Sequence, residues 1–332
     1  MRNSKIIGMG FYVPEKVVTN HDLAKLMDTS DEWVRERTGI VERHYAAVDE
    51  GTAGLAKEAT VRALADAKLE TKDIDLIVLA SLSPDYCFPG SGCVLQSLLQ
   101  FPNHCAAIDI RAQCSGFIYS LAVADQFIKT GKYNRVLVVG SEVHSTGLEF
   151  ANRGRDVTVL FGDGAGAVIL GPADGPQQGV LSNHLHAKGE FFNKLWCEAP
   201  ASKFMPRITH QMLDDGRVFP KMDGKFIFRH AVEGMSTVIM EALQKNHYTV
   251  ADLDLLVPHQ ANMRINQMVG RKLGLADDKV FHNIQKYGNT TAATIPIGLC
   301  EAREQGLIQP GKLVCLAAFG AGLTWAASLI RW

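Results

Sequence analysis

Asp73-Ile74-Asp75-Leu76-Ile77-Val78 and Asp252-Leu253-Asp254-Leu255-Leu256-Val257 are near-copies, one in each half of a chain of 332 residues. Each follows a helix-like stretch, Ala59 to Leu69 in the first case and Met235 to Leu243 in the second. Each also has an Ala-Leu pair ten residues before its first Asp, Ala63-Leu64 and Ala242-Leu243. A second pair of segments agrees less closely. Cys114 precedes Gly131 by the same interval at which Asn289 precedes Gly306. Both glycines end an amphipathic stretch and precede an apolar run, Val136 to Gly140 and Leu313 to Ala318, as a helix closed by a C′ glycine does. Finally, Gly164-Ala165-Gly166-Ala167-Val168-Ile169-Leu170 resembles Ala321-Gly322-Leu323-Thr324-Trp325-Ala326-Ala327. The chain therefore reads as a duplicated unit, residues 1–172 and 173–332.

Short apolar runs at 76–81, 105–110, 135–141, 255–258 and 313–318 alternate with helical stretches. Such alternation predicts α/β layers with sheets buried on both faces. If the halves pack about a pseudo-twofold axis, equivalent helix starts meet at the centre. Cys114 and Asn289 are expected at such starts, close in space although they lie in different halves of the sequence.

Composition narrows the function classes. Apolar residues make up 47 %, charged residues 21 %, and the net charge is −1. A chain this balanced lacks the basic footprint of a general nucleic-acid binder and is too apolar to be disordered. No run approaches the ~18 unbroken apolar residues of a membrane span. Met1 to Gly8 reads as the start of a strand, without the signal-peptide pattern. The seven cysteines (87, 93, 105, 114, 197, 300, 315) form no CxxC pair and no metal spacing. They are expected as reduced thiols in a cytoplasmic protein.

Three residues stand out chemically. Cys114 lies in Asp109-Ile110-Arg111-Ala112-Gln113-Cys114-Ser115-Gly116-Phe117, where a strand ends and an apolar helix begins. A thiol there faces free N–H groups and the positive end of the helix dipole, which lowers its pKa; the alternative is a buried structural cysteine. His259, in Val257-Pro258-His259-Gln260-Ala261-Asn262, ends a buried strand that Pro258 terminates. Taken alone it reads as a satisfied core histidine. Asn289, in Tyr287-Gly288-Asn289-Thr290-Thr291-Ala292-Ala293-Thr294, reads alone as a helix N-cap. Convergence argues for a site: the repeat brings Asn289 to Cys114, and His259 ends a strand on the sheet edge where open α/β sheets bind ligands.

These three segments resemble the signatures of type III β-ketoacyl-acyl carrier protein synthases, members of the thiolase superfamily. The likeness includes Arg264, Thr29-Ser30-Asp31-Glu32-Trp33 with Arg37-Thr38-Gly39, Phe161-Gly162-Asp163-Gly164-Ala165-Gly166, and Phe319-Gly320. It spans the chain apart from about 190–220. The resemblance implies a thiolase-like fold of duplicated αβαβα halves and a decarboxylative Claisen condensation of an acyl-CoA with malonyl-acyl carrier protein. Cys114 would hold the acyl group as a thioester. His259 and Asn289 would donate to the enolate left when CO2 departs. The Cys114 and Gly320 N–H groups would form a second oxyanion hole, glycine permitting close backbone approach. No cofactor or metal is implied; the coenzyme A thioester is a substrate.

The resemblance implies further roles. Trp33 and Arg37, four apart on one helix face, match residues that sandwich the adenine of coenzyme A. Arg155, Asn262 and Phe319 match further coenzyme or substrate contacts, although Arg153 lies near and Asp156 departs from the commoner small residue. Thr29-x-x-Glu32 reads as a capping box that starts this helix. Arg264, Arg271 and Lys272 share a helix side and match a docking patch for the acidic carrier protein; otherwise they are a solvated face. Phe88 matches a residue that crosses the interface of a homodimer into the neighbouring acyl pocket. Gly162-Asp163-Gly164-Ala165-Gly166 is not GxGxxG and precedes a strand, so it reads as turn and close packing.

Related condensing enzymes differ at these positions. Elongating synthases carry His where Asn289 stands, and degradative thiolases carry a second Cys in the turn that here reads Phe319-Gly320-Ala321-Gly322. Relatives of secondary metabolism and long-chain head-to-head condensing enzymes share the trio. A papain-type Cys-His-Asn hydrolase is a remote alternative that lacks the Cys-Gly-Ser-Cys-Trp signature. A catalytically silent acyl-binding subunit is a third. Residues 190–222 are longer than the family pattern and rich in bulky groups, either a lid over a longer acyl tunnel or extra dimer surface.

Overall fold

The computed structural model describes residues 2–332; Met1, the first residue of the predicted opening strand, lies outside the described residues. The repeated Asp-x-Asp segment does the same work twice. In each copy a short 3-10 turn, Thr71–Asp73 or Val250–Asp252, feeds a strand, Leu76–Ala80 or Leu255–Pro258. The second Asp of each copy grips the start of the neighbouring strand. The Asp75 carboxylate accepts from the N–H groups of Asn134 and Arg135 at 2.8 and 2.9 Å, and Asp254 accepts from Leu313 N–H at 2.8 Å. The strands so registered run parallel, Leu76 beside Val136 and Leu255 beside Val314.

The first sheet has the strand order Ser4–Tyr12, Gly164–Pro172, Val136–Glu142, Leu76–Ala80, Ala106–Ile110. The second has Leu255–Pro258, Leu313–Gly320, Thr324–Arg331, Gly179–Ala187, which is the same order traced from the opposite end and short of one strand. The missing strand survives as a single parallel bridge, Leu256 to Val280. Alternate residues face different layers. Leu76, Val78, Val136, Val138, Val314 and Leu316 face a shared central core. Ile77, Leu79, Leu137 and Val139 face the outer layer of the first sheet, and Leu313 and Cys315 that of the second. Both faces of the central strands are buried, as expected of strands with no polar face, while the edge strands Ala106–Ile110 and Gly179–Ala187 are partly exposed.

Helices complete five layers. Thr52–Ala67 covers the outside of the first sheet and Gly224–Lys245 the outside of the second. Gly116–Lys129 and Thr294–Glu304 lie between the sheets, contributing Phe117, Leu121, Ile128, Ile295 and Leu299 to the central core. Their starts meet closely: a β-carbon on Gly116 would stand 3.6 Å from Ala292 Cβ.

Three sequence expectations need correction. The two central helices differ in length, 14 residues against 11, although glycines with positive φ follow both (Gly131, 78°; Gly306, 73°). Counting back from the glycine therefore slips the alignment by one helical turn. Each helix is preceded by a 3-10 turn, Gln113–Ser115 or Thr291–Ala293, that opens on a left-handed non-glycine residue: Gln113 (φ 46°) and Thr291 (φ 49°). The pseudo-twofold mate of Cys114 is thus Ala292, and Asn289 sits three residues upstream. Second, the helix that carries Trp33 is Asp31–Thr38, capped by Ser30, whose hydroxyl accepts from Trp33 N–H at 3.1 Å. Thr29 is not the cap; its hydroxyl is buried and unpaired. The third concerns the Cys114 thiol and belongs to the site.

Candidate active site

Cys114 occupies the 3-10 turn Gln113–Ser115 at the end of the strand Ala106–Ile110, and it is almost wholly buried. The turn after Leu313–Gly320 is pressed against it. A β-carbon at Gly320 would lie 2.5 Å from Cys114 Cβ and 2.9 Å from Sγ, so only glycine fits. The Ala321 N–H donates to the Cys114 sulfur. The two turns are also tied by Ser115 Oγ and Thr324 Oγ1, 2.7 Å apart.

Burial pushes the Cys114 thiol up to about 12, and the charge of Glu142 pushes the same way; the Ala321 amide pulls against both. This reverses the expectation of a lowered pKa. A 3-10 turn intervenes before the helix, and desolvation outweighs what the amide ends supply. The resting Cys114 side chain is a neutral thiol. Burial likewise holds the Glu142 carboxyl at about 7 against the pull of Ser83, Leu82 and Ser81 donors.

His259 follows the strand Leu255–Pro258, its N–H on the Ala317 carbonyl at 2.8 Å. Its Nδ1 lies 2.7 Å from Thr294 Oγ1, while Nε2 is buried without a protein partner. Burial, helped by the nearby His144, lowers its pKa to about 3, so the ring is neutral at working pH. Asn289 is gripped by the first half of the chain. Its N–H donates to Leu160 O at 2.8 Å, and its carbonyl accepts from Gly162 N–H at 3.1 Å. The side-chain Oδ1 accepts from Thr291 N–H at 2.9 Å, which turns Nδ2 the other way and fixes the amide orientation. The Gly162-Asp163 segment is closely packed, as expected, a β-carbon on Gly162 falling 2.4 Å from Tyr287 O, and it also clamps Asn289. Asp163 secures it by accepting from the N–H groups of Ala46, His144 and Ser145.

At the mouth, the guanidinium carbons of Arg37 and Arg155 lie 4.6 and 4.8 Å from the Trp33 ring centroid. Arg153 points elsewhere, pairing with Glu149 and donating to Asp214 O at 2.8 Å, so of the two neighbouring arginines it is Arg155 that meets Trp33. Asn262 caps the helix Met263–Leu273 through Arg264 N–H at 2.9 Å and donates to Arg37 O at 2.9 Å, joining the two elements of the mouth. Phe319 is turned into the outer core, near Trp325 (centroids 6.3 Å). Arg264, Arg271 and Lys272 are all exposed; Lys272 pairs with Glu233, while the other two have no carboxylate in reach among the described residues. Phe88 is 82 % exposed. The Ala321 amide and the threonines 291 and 294 were not singled out from sequence. The signal was there, since Thr290-Thr291 and Thr294 flank the start of a central helix beside Asn289.

A buried cysteine under a glycine turn, a neutral histidine and an oriented asparagine, held in a layered α/β fold, suit acyl condensation. The comparisons with known proteins agree. Family models described as 3-oxoacyl-[acyl-carrier-protein (ACP)] synthase III match residues 108–189 and, for the C-terminal part, 243–332. The β-ketoacyl-[acyl-carrier-protein] synthase III of Caldanaerobacter subterraneus is 45 % identical over 98 % of this chain and 97 % of its own. The crystal structure of 3-oxoacyl-[acyl-carrier-protein] synthase III from Aquifex aeolicus superposes with TM-score 0.90 at 41 % identity, covering 99 % of this chain and 100 % of that one. The priming β-ketosynthase of the R1128 polyketide pathway reaches TM-score 0.90 at 31 % identity, covering 99 % and 96 %. The chain belongs to the β-ketoacyl-acyl carrier protein synthase III family.

Proposed function

We propose that this chain is an acyltransferase that condenses an acyl-CoA primer with malonyl-acyl carrier protein, releasing CO2 and giving a 3-oxoacyl-acyl carrier protein, the initiating step of fatty acid synthesis. The observation that carries the reading is Cys114 under the Gly320–Ala321 turn. A thiol packed against backbone N–H donors suits acyl capture, and a histidine that stays neutral suits enolate stabilisation.

The residues divide the work between the halves, 1–172 carrying the nucleophile and 173–332 the decarboxylation donors. The Cys114 sulfur attacks the primer thioester, its proton leaves, and coenzyme A departs as the thiol. The carbonyl oxygen collects the charge against the Cys114 N–H and the N–H groups of the Gly320–Ala321 turn. Thr294 sits between two acceptors, His259 Nδ1 at 2.7 Å and Thr291 O at 3.0 Å. With its proton on Thr291 O, His259 carries Nδ1–H and Nε2 is an acceptor. With its proton on Nδ1, Nε2–H is a donor. In the second step the malonyl carboxylate leaves as CO2, and the enolate oxygen takes hydrogen bonds from His259 and Asn289. The carbanion then attacks the acyl-Cys114, and the sulfur leaves with its electron pair. No step calls for a cofactor or metal.

Trp33, Arg37 and Arg155 form an aromatic and cationic platform suited to the adenine and phosphates of coenzyme A, with Asn262 bracing the passage inward; Phe319, turned into the outer core, takes no part. Arg264, Arg271 and Lys272 suit an acidic carrier protein. Arg264→Glu is expected to slow the carrier-protein step, to lose that deficit as salt is added, and to leave acyl loading from acyl-CoA unchanged. Rates of both half-reactions at two ionic strengths check this; an equal loss in loading would move Arg264 into the coenzyme passage.

We further read the enzyme as a homodimer of the cytoplasm. The edge strand Ala106–Ile110 pairs on one side only, and exposed Phe88, Tyr86 and Leu98 lie on the neighbouring segment. The Phe88 loop is tied at its base, Ser81, Leu82 and Ser83 donating to Glu142, so the exposed ring is presented for burial by a second copy. All seven cysteines are free, and among the described residues no helix is long and apolar enough to cross a membrane.

The thiol sets a pH dependence. A thiol with a raised pKa gains thiolate tenfold per pH unit below that value, so Cys114 loading is expected to climb from pH 6 to 9. The rise becomes shallower above about 7 as Glu142 ionises. CO2 release from preloaded enzyme is expected to stay flat down to pH 5, since His259 protonates only near 3. Rapid-quench mass spectrometry at each pH tests it; loading that levels off below pH 7 would contradict a neutral resting thiol.

A further inference from the structure

A histidine buried beside the site has no part in the chemistry so far. His144 follows the strand Val136–Glu142 at the same sheet edge as the site. Its backbone N–H donates to Asp163 Oδ1 at 2.6 Å, and its ring lies against Phe161, centroids 4.5 Å apart. Phe161 in turn bridges to Asn289. The His144 Nε2 lies 2.6 Å from Thr291 Oγ1.

Thr291 is the junction between the two decarboxylation donors. Its N–H holds Asn289 Oδ1 at 2.9 Å. Its carbonyl accepts from Thr294 Oγ1 at 3.0 Å, and that hydroxyl meets His259 Nδ1 at 2.7 Å. Thr291 is also a β-branched residue held at φ 49°, a conformation such residues rarely adopt and that its surroundings must impose. The third polar group of Thr291, its hydroxyl, is the one that His144 takes.

We propose that His144 is a positioning residue for decarboxylation: through its hydrogen bond to the Thr291 hydroxyl it holds the strained turn that aims both Asn289 and His259 at the enolate oxygen. The proposal rests on the decarboxylative reading given above. A change at His144 tilts the Thr291 peptide and moves both donors together. It leaves the Cys114 turn alone, because that turn is fixed from the other side by Gly320, Ala321 and Thr324. Burial lowers the His144 pKa to about 3, so the ring is neutral and places no second cation beside His259.

The test compares the two half-reactions on the same preparations of wild type, His144→Leu, His144→Gln, Thr291→Val and Thr291→Ser. The substrates are acyl-CoA and malonyl-acyl carrier protein. Leucine fills the space without the hydrogen bond, and glutamine reaches with an amide. His144→Leu is expected to lower the kcat of CO2 release about tenfold or more, since small displacements of reacting groups are costly. Its KM for the malonyl substrate and its Cys114 loading rate should stay within about twofold of wild type. Thr291→Val should reproduce the loss, Thr291→Ser and His144→Gln should recover most of it, and the Leu/Val double variant should be no worse than either single one. Equal losses in loading and CO2 release, additive single effects, or unchanged CO2 release with only a lowered unfolding temperature would each overturn the proposal. Should His144→Leu not fold, the Thr291 pair decides alone. A wild type that loads acyl groups but releases no CO2 would instead overturn the functional reading.

Discussion

Replacing Cys114 by alanine is expected to give a folded protein that gains no acyl group. The side chain is small and almost wholly buried, and alanine removes only the sulfur, so the surrounding turns keep their contacts. No other thiol takes over. Only Cys114 is packed under the Gly320 turn; Cys105, Cys300 and Cys315 are held in the hydrophobic cores, and Cys87, Cys93 and Cys197 are exposed. The mass of the intact protein after incubation with acyl-CoA should rise by one acyl group in wild type and stay unchanged in Cys114→Ala. A stoichiometric gain by the variant would remove Cys114 from the chemistry.

Asn289→Ala is expected to separate the half-reactions. Acyl transfer requires Cys114, the Gly320 turn and a base, none of which contains Asn289, so loading should stay within about tenfold of wild type. Decarboxylation loses one of two enolate donors, which costs on the order of 10²–10³ in rate, or about 3–4 kcal/mol. If Asn289 serves only as a brace for the Thr291 turn, the variant loses about 1 kcal/mol of stability and keeps its chemistry. Loading, CO2 release and the unfolding midpoint, measured together, distinguish a donor from a brace.

The sheets were legible because their strands are buried on both faces and so read as unbroken apolar runs. The run predicted at 255–258 is the strand Leu255–Pro258, and 135–141 became Val136–Glu142. The repeat was legible because each Asp75 or Asp254 must cap a neighbouring strand, a requirement that fixes residue type and spacing. Helix lengths were not. Nothing in the sequence marks where a helix starts behind a left-handed threonine, so counting from Gly306 displaced Asn289 by a turn. The raised pKa of the Cys114 thiol is hidden from the sequence for a related reason. Position along the chain shows the amide ends that favour a thiolate, whereas the cost of burying one depends on Gly320 and Glu142 arriving from distant segments. Trp33 and Arg37 were legible from their spacing. Their meeting with Arg155, from a distant part of the chain, is tertiary, and it rests on a contact between the Asp28 carbonyl and the Arg155 guanidinium at 2.9 Å.

The most direct test is a single turnover. Enzyme loaded with acyl-CoA is freed of excess reagent and then mixed with malonyl-acyl carrier protein. The acyl group on the Cys114 peptide, the CO2 released and the 3-oxoacyl product are followed in one time course. The account predicts that the acyl-enzyme persists in buffer. After mixing, acyl loss, CO2 release and product formation should proceed at one rate in a ratio of one to one to one. Acyl loss to water as free acid, or CO2 release without a 3-oxoacyl product, would contradict it.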